Sequence, residues 1–179
     1  MSATEDKIIV EPGAEQRAGQ RIGVEDLRAP IVQSVHAYWV ELKGKRRFPS
    51  RQQITPRDMA KLLRNIVILR VIDNGEDFEY RIAGDAHTQA HQYTFTNLRI
   101  SQIDAMSPGY GSALMRAYRS VYKKREPLAL RGWIERPGSG NSKITFHESV
   151  MLPLGATDDE VDHLIVGSVY ANTYRYDEI

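Results

Sequence analysis

The sequence predicts an α+β fold: a five-stranded antiparallel sheet with helices on one face and an extra N-terminal helix. Three observations carry that expectation. Asn74-Gly75 lies between two β-rich runs, and this dipeptide favours a tight hairpin because both residues tolerate positive φ. An amphipathic helix follows later, opened by Ser107-Pro108 and stopped by Arg125-Glu126-Pro127. Three more strand-like segments, separated by polar turns that contain glycine, close the chain. Such an order packs most simply as one antiparallel sheet with helices laid over it.

Each element has its own signal. Residues 1–23 mix charges with Pro12, Gly13, Gly19 and Gly23 and show little periodicity, as expected of a flexible arm. From Val24 to Leu42 the apolar positions Val24, Leu27, Ile31, Val35, Tyr38 and Leu42 recur at helical spacing. Gly44 and the cations Lys45, Arg46 and Arg47 suit a helix C-terminus, and Pro49 forbids continuation. Thr55-Pro56 reads as an N-cap followed by proline at the first helical position, predicting a short helix to about Leu63. The unit 24–64 thus comprises the N-terminal helix, a basic connector and a short helix, and 65–179 forms the core. In that core, strands are expected over 65–73 and 78–83, small helices and loops over 84–108, and a long helix from Ser107 to Arg125 whose face carries Leu114, Tyr118, Val121 and Tyr122. The last strands are expected over 128–136, 144–154 and 163 to about 174.

Composition narrows the chemistry. A chain of 179 residues, 41% hydrophobic and 26% charged, fits one globular domain that buries about two-thirds of its unfolded surface. With 24 Lys and Arg against 23 Asp and Glu, the net charge of +1 provides no global attraction to nucleic acid or anionic membrane. The absence of cysteine excludes disulfides, thiolate metal sites, cysteine nucleophiles and flavin-cysteinyl photochemistry. The N-terminus lacks the form of a signal peptide, and no run of about 18 apolar residues occurs, so a cytoplasmic location with no membrane span follows by default. Phosphate-binding glycine loops and a GxSxG nucleophile elbow are missing as well.

Residues 39–59, WVELKGKRRFPSRQQITPRDM, carry the most specific pattern. Trp39, Leu42, Pro49, Arg51, Ile54, Pro56 and Asp58 in this connector, with Tyr80, Arg81, Ala83 and Gly84 in the second strand and Glu148 ahead of Leu152-Pro153-Leu154, resemble a family of small bacterial PAS-domain proteins found mostly in alphaproteobacteria. The resemblance spans roughly residues 27–175, and it implies the PAS order of two strands, a helical crossover and three strands. One departure concerns the loop after Gly84. The family typically carries glycines there, in a pattern like Phe-Gly-x-x-Leu-Thr-Gly, whereas residues 87–101 read HTQAHQYTFTNLRIS, so this loop must take another path. Because it borders the usual ligand cavity, the ligand's identity does not transfer and no cofactor is specified.

The candidate ligand-binding residues are Tyr80, Arg81, Tyr118, Arg131, Trp133 and Glu148. Tyr80 and Tyr118 fall on expected core faces and require partners for their hydroxyls. Trp133 either lines a cavity or covers the outer face of the sheet; packing is the simpler role. Alternation along Ile144, Phe146, Glu148, Val150 and Leu152 places the Glu148 carboxylate among apolar neighbours, so it needs a cation. Arg81 is the first candidate and Arg131 the second. The pair is read either as a polar anchor in a ligand pocket or, preferably, as a structural ion pair; His147 should point the other way. His87 and His91 share a helical face at metal-compatible spacing, or could serve a haem, but without a third ligand they read as exposed or helix-capping residues.

The segment 43–70 holds nine bases, Lys43, Lys45, Arg46, Arg47, Arg51, Arg57, Lys61, Arg64 and Arg70, against the single acid Asp58, a local charge of +8. Phe48 is the one aromatic among them, which argues against nucleic acid and for neutralisation of acidic segments such as Asp158-Asp159-Glu160. The function expected from the resemblance is a stand-alone cytoplasmic PAS-type sensory, signalling or protein-interaction module with a small-molecule ligand in its core. It would report to a separate signalling protein, as an output domain would need well over 100 further residues, and would form a homodimer through the 24–42 helix. The alternative is a small α+β cone-barrel enzyme with a carboxylate and histidine pocket.

Overall fold

A computed structural model of the chain describes residues 19–91, 93–106, 109–135 and 144–171, with the backbone alone at 133–135, 144–145 and 171. The elements in chain order are β1 (Gln20–Ile22), α1 (Pro30–Lys43), β2 (Ile66–Ile72), β3 (Asp77–Ala83), α2 (Asp85–His91), α3 (Ile100–Met106), α4 (Tyr110–Lys124), β4 (Leu128–Glu135), β5 (Ile144–Leu154) and β6 (His163–Ala171). They build one antiparallel sheet in the order β1-β4-β5-β6-β2-β3. The fold is the expected α+β arrangement, with six strands instead of five. The additional strand pairs Gln20 with Arg131 and Ile22 with Ala129. Three residues of mainly polar character carry no readable alternation, so the sequence offers no sign of it.

The helix expected from Val24 begins at Pro30. Ala29 is extended at φ −71°, ψ 119°, as residues before proline prefer, and Pro30 takes the first helical position where its missing N–H costs nothing. Val24–Asp26 form a separate 3-10 turn. α1 buries Val32, Val35 and Trp39, and the Trp39 indole donates to the Pro153 carbonyl at 2.8 Å. Gly44, at φ 52°, ends the helix as anticipated.

No helix forms over 55–63. The Thr55 hydroxyl does cap, accepting the Asp58 N–H at 3.3 Å, but the chain continues as successive turns before a 3-10 turn at Leu63–Asn65. Nine residues are too few to repay helix nucleation by themselves, and the segment is held by burial of Ile54, Met59 and Leu62. The hairpin between β2 and β3 closes through Asp73, Asn74 and Gly75 at φ 46°, 54° and 86°. The altered loop after Gly84 continues directly into α2. Its left-handed position falls on Asn97 at φ 66°, and pairing of Tyr80 with Asn97 and Leu98 covers the free edge of β3.

Helices cover both faces of the sheet. α1 packs on β5 and β6, where Gly167 lies directly under Val35. α2, α3 and α4 cover the opposite face, α2 against β6 and α4 against β3, β4 and β5. β5–β6 register pairs Ser149 with Ser168 and Val150 with Gly167, so odd positions of β5 face α2 and α4 while even positions face α1.

Candidate functional site

The face under α2 and α4 holds a polar aromatic interior that the apolar core surrounds. β5 contributes His147 and Ser149, β6 contributes Ser168 and Tyr170, and β3 contributes Tyr80. Helical periodicity brings His87 and His91 to the buried side of α2, and α4 adds Tyr110 and Tyr118. Phe95 closes one wall with its ring edge-on to Tyr80 at 5.4 Å and to His87 at 5.1 Å.

Hydrogen bonds link these side chains in short chains. The Tyr80 and Tyr118 hydroxyls are 3.1 Å apart. His91 Nδ1 donates to the His87 carbonyl at 2.9 Å, which leaves Nε2 to accept from the Tyr110 hydroxyl. Ser168 donates to Ser149 at 2.9 Å, and Ser149 shares a bond with His147 Nδ1 at 3.1 Å. The His87 ring stacks on His91 at 4.2 Å, and its buried Nδ1 has no partner among the described residues.

Burial disfavours charge on most groups of this interior. Burial, and then the neighbouring His91, keeps His87 well below the ordinary imidazole value. The same two causes hold His147 down to about 4. Burial pushes Tyr80 and Tyr110 well above 10 and Tyr118 to about 12. Tyr170 is raised by burial, an effect reduced by its bond to Ser168. The interior therefore presents imidazole and hydroxyl groups between aromatic walls, an environment suited to a neutral hydrogen-bonding molecule. Among the described residues no cluster of three or more His, Cys, Asp or Glu is arranged to hold a metal.

Of the residues singled out in the sequence, Tyr80 and Tyr118 meet in this interior. Trp133 pairs with Phe146 through its backbone, and its side chain lies outside the described residues. Arg131 and Glu148 come together on the opposite face, Nη2 to Oε2 at 2.7 Å, and Glu148 Oε1 accepts the Arg28 and Ala29 N–H groups at 2.9 and 2.7 Å. The carboxylate thus anchors the entry to α1 and faces away from the polar interior. Arg81 does not reach Glu148. It is exposed at the sheet edge and pairs with Glu79 at 2.7 Å, because β3 lies at the far side of the sheet from β5.

His87 and His91 are buried at 5% and 7% exposure, contrary to their reading as exposed residues, although His91 does bond the His87 carbonyl in the last turn of α2. Their i, i+4 spacing with Ala90 was the available signal for a docked face. His147, Ser149, Ser168 and Tyr170 were concealed because polar residues on a strand ordinarily mark its solvent side. The basic segment behaves as a surface connector at Arg46, which binds Asp158 at 3.2 Å and the carbonyls of Gly155 and Ala156.

The sequence matches the PAS domain family over residues 6–169. No curated protein matches it. Among solved structures it is similar to the PAS domain of Bordetella pertussis BvgS, with TM-score 0.43 and 13% identity over 82% of this chain and 90% of that one. A Rhodobacter sphaeroides LOV protein aligns with TM-score 0.43 and 14% identity over 69% of this chain and 73% of that one. A light-oxygen-voltage domain studied with a flavin analogue aligns with TM-score 0.45 and 10% identity over 64% of this chain and 82% of that one.

Proposed function

The chain belongs to the PAS-domain family, and from that premise we propose that it is a sensory or protein-interaction module whose ligand site is the polar interior under α2 and α4. The ligand is a small, neutral, planar molecule that exchanges hydrogen bonds with Tyr80, Tyr118 and the histidines. One observation carries this reading: imidazole and hydroxyl groups converge there between aromatic rings, and His87 Nδ1 is buried without a partner among the described residues. A buried polar atom in that state costs about 1–3 kcal/mol, which an incoming hydrogen bond would recover.

Native mass spectrometry of freshly purified protein tests the assignment. The expected spectrum contains a small noncovalent adduct that disappears in a Tyr80→Leu/Tyr118→Leu variant. The bare polypeptide mass in every charge state, from protein purified without dialysis, overturns it.

The module is proposed to act in the cytoplasm as a homodimer through the 24–42 segment, reporting to a separate signalling protein. Among the described residues no helix is long and apolar enough to cross a membrane. Val35 is fully buried, so charging it would unfold α1 and leave association untested; Val40, 43% exposed, is the position to change. Light scattering of Val40→Glu should show dissociation into monomers, and an unaltered dimer refutes this interface. The alternative enzyme reading loses its support, as Glu148 and His147 serve opposite faces and bond to Arg131 and Ser149.

A further inference from the structure

We propose that α2 is an acid-sensitive latch on the ligand site, released from the sheet when His87 takes up a proton. This inference assigns a regulation to the site proposed above, and its signalling meaning rests on that reading.

The latch follows from how α2 is held. The helix has seven residues, too few to persist without tertiary contacts, and its buried side chains are His87, Ala90 and His91. Two of the three groups that dock it are imidazoles, whereas α1 is docked by Val32, Val35 and Trp39. The side chains that dock α1 on the sheet are indifferent to pH, whereas α2 is docked by groups whose affinity for the interior depends on being uncharged.

Among the described residues, the surroundings of His87 offer a proton no carboxylate partner. From α2 itself His91 stacks at 4.2 Å, and the influences on His87 are burial and that second imidazole, with no carboxylate among them. β3 presents the Tyr80 ring at 5.5 Å and β6 the Tyr170 ring at 6.2 Å, both as neutral phenols. α4 reaches the pair through Tyr110, on His91, and through Tyr118, on Tyr80; from β5, His147 lies within the electrostatic reach of His91. On the outer side of α2, the preceding 3-10 turn contributes the cation Arg64, bonded to Gln89, and Asp85 opens the helix. Charging His87 in place therefore sets a cation against an imidazole and two phenols, and the relief available is to move α2 into water.

Amide hydrogen exchange of the unliganded chain between pH 7.5 and 5.0, corrected for intrinsic rates, reads the latch directly. The open fraction over residues 84–91 should rise by up to tenfold per pH unit below about 6.5 for each proton taken up, while amides of β5 and β6 keep their protection. His87→Phe, which retains a ring without a titrating group, should remove about one tenfold step per pH unit. A flat profile in the parent chain, an unchanged slope in His87→Phe, or equal loss of protection in β5 and β6 overturns the proposal. Should His87→Phe fail to fold, a carbon-detected titration of the parent chain decides: His87 titrating at or above 6.5 while α2 remains protected is equally fatal. No ligand enters these measurements, so the latch can fail with the ligand site intact, and an absent adduct leaves the latch to be judged on exchange alone.

Discussion

His147 and Glu148 are consecutive in β5 and serve opposite faces of the sheet: the imidazole shares a hydrogen bond with Ser149 at 3.1 Å beneath α2, and the carboxylate meets Arg131 at 2.7 Å beneath the entry to α1. The two-residue period of a strand makes this division unavoidable. It separates a titratable interior on one side from an anchoring ion pair on the other.

Glu148→Ala should be strongly destabilising. It leaves the Arg131 guanidinium with only the Asp26 carbonyl among the described residues and removes the acceptor for the Arg28 and Ala29 N–H groups, at a carboxylate only 1% exposed. Breaking one side of a buried pair costs about 3–5 kcal/mol. Glu148→Gln keeps an acceptor oxygen and should lose roughly half as much. Urea denaturation measures both, and a loss below about 1 kcal/mol for the alanine variant would refute the anchoring role.

Gly167→Ala tests the seat of α1. A Cβ there would stand 2.8 Å from Val35 Cβ and Cγ2, too close to accept without a shift of the helix. Overpacking of this kind costs about 1–3 kcal/mol. In a Val35→Ala background the Cγ1 and Cγ2 contacts are gone while the 2.8 Å contact with Cβ stays, so the same substitution should cost distinctly less without becoming neutral, and a double-mutant cycle by chemical denaturation reports the coupling. Additive losses would mean that Val35 is not what fills the position above Gly167.

Arg46→Ala should loosen the loop between β5 and β6. The guanidinium binds two carbonyls, of Gly155 and Ala156, together with Asp158, yet the side chain is about one-third exposed. The expected stability loss is about 1 kcal/mol, with faster amide exchange confined to residues 155–160. Uniform exchange along the chain would contradict this local role.

These contacts show what the sequence could reveal. Strand alternation around Glu148 identified a buried carboxylate, and the Asn74-Gly75 and Thr55-Pro56 signals located a hairpin and a cap, since each depends on local chemistry. The choice of Arg131 over Arg81 depended on strand order, which local patterns do not encode: β4 neighbours β5 and β3 is at the far edge. The polar interior escaped for a related reason. His87, His91, His147, Tyr110 and Tyr170 come from four elements, and each residue alone is unremarkable until the crossover brings α2 and α4 over β5 and β6.

Stability should form a dome in pH whose two flanks arise from that interior. His147 has its folded value lowered from 6.5 to about 4, so its contribution is complete above pH 6.5 and is lost as pH falls through 4, where the unfolded chain binds the extra proton. Tyr118 has its folded value raised from 10 to about 12, so its contribution is complete below pH 10 and is lost as pH rises toward 12. At 1.36 kcal/mol per unit, each flank from one such group amounts to roughly 3 kcal/mol. Urea denaturation from pH 4.5 to 11.5 should show both slopes. Tyr118→Phe should flatten the alkaline flank by about one proton while lowering the plateau by about 1–2 kcal/mol, since Tyr80 then loses its hydroxyl partner. An alkaline slope unchanged in Tyr118→Phe would locate the titrating group elsewhere, whereas a reduced slope is expected because Tyr80, Tyr110 and Tyr170 are raised as well.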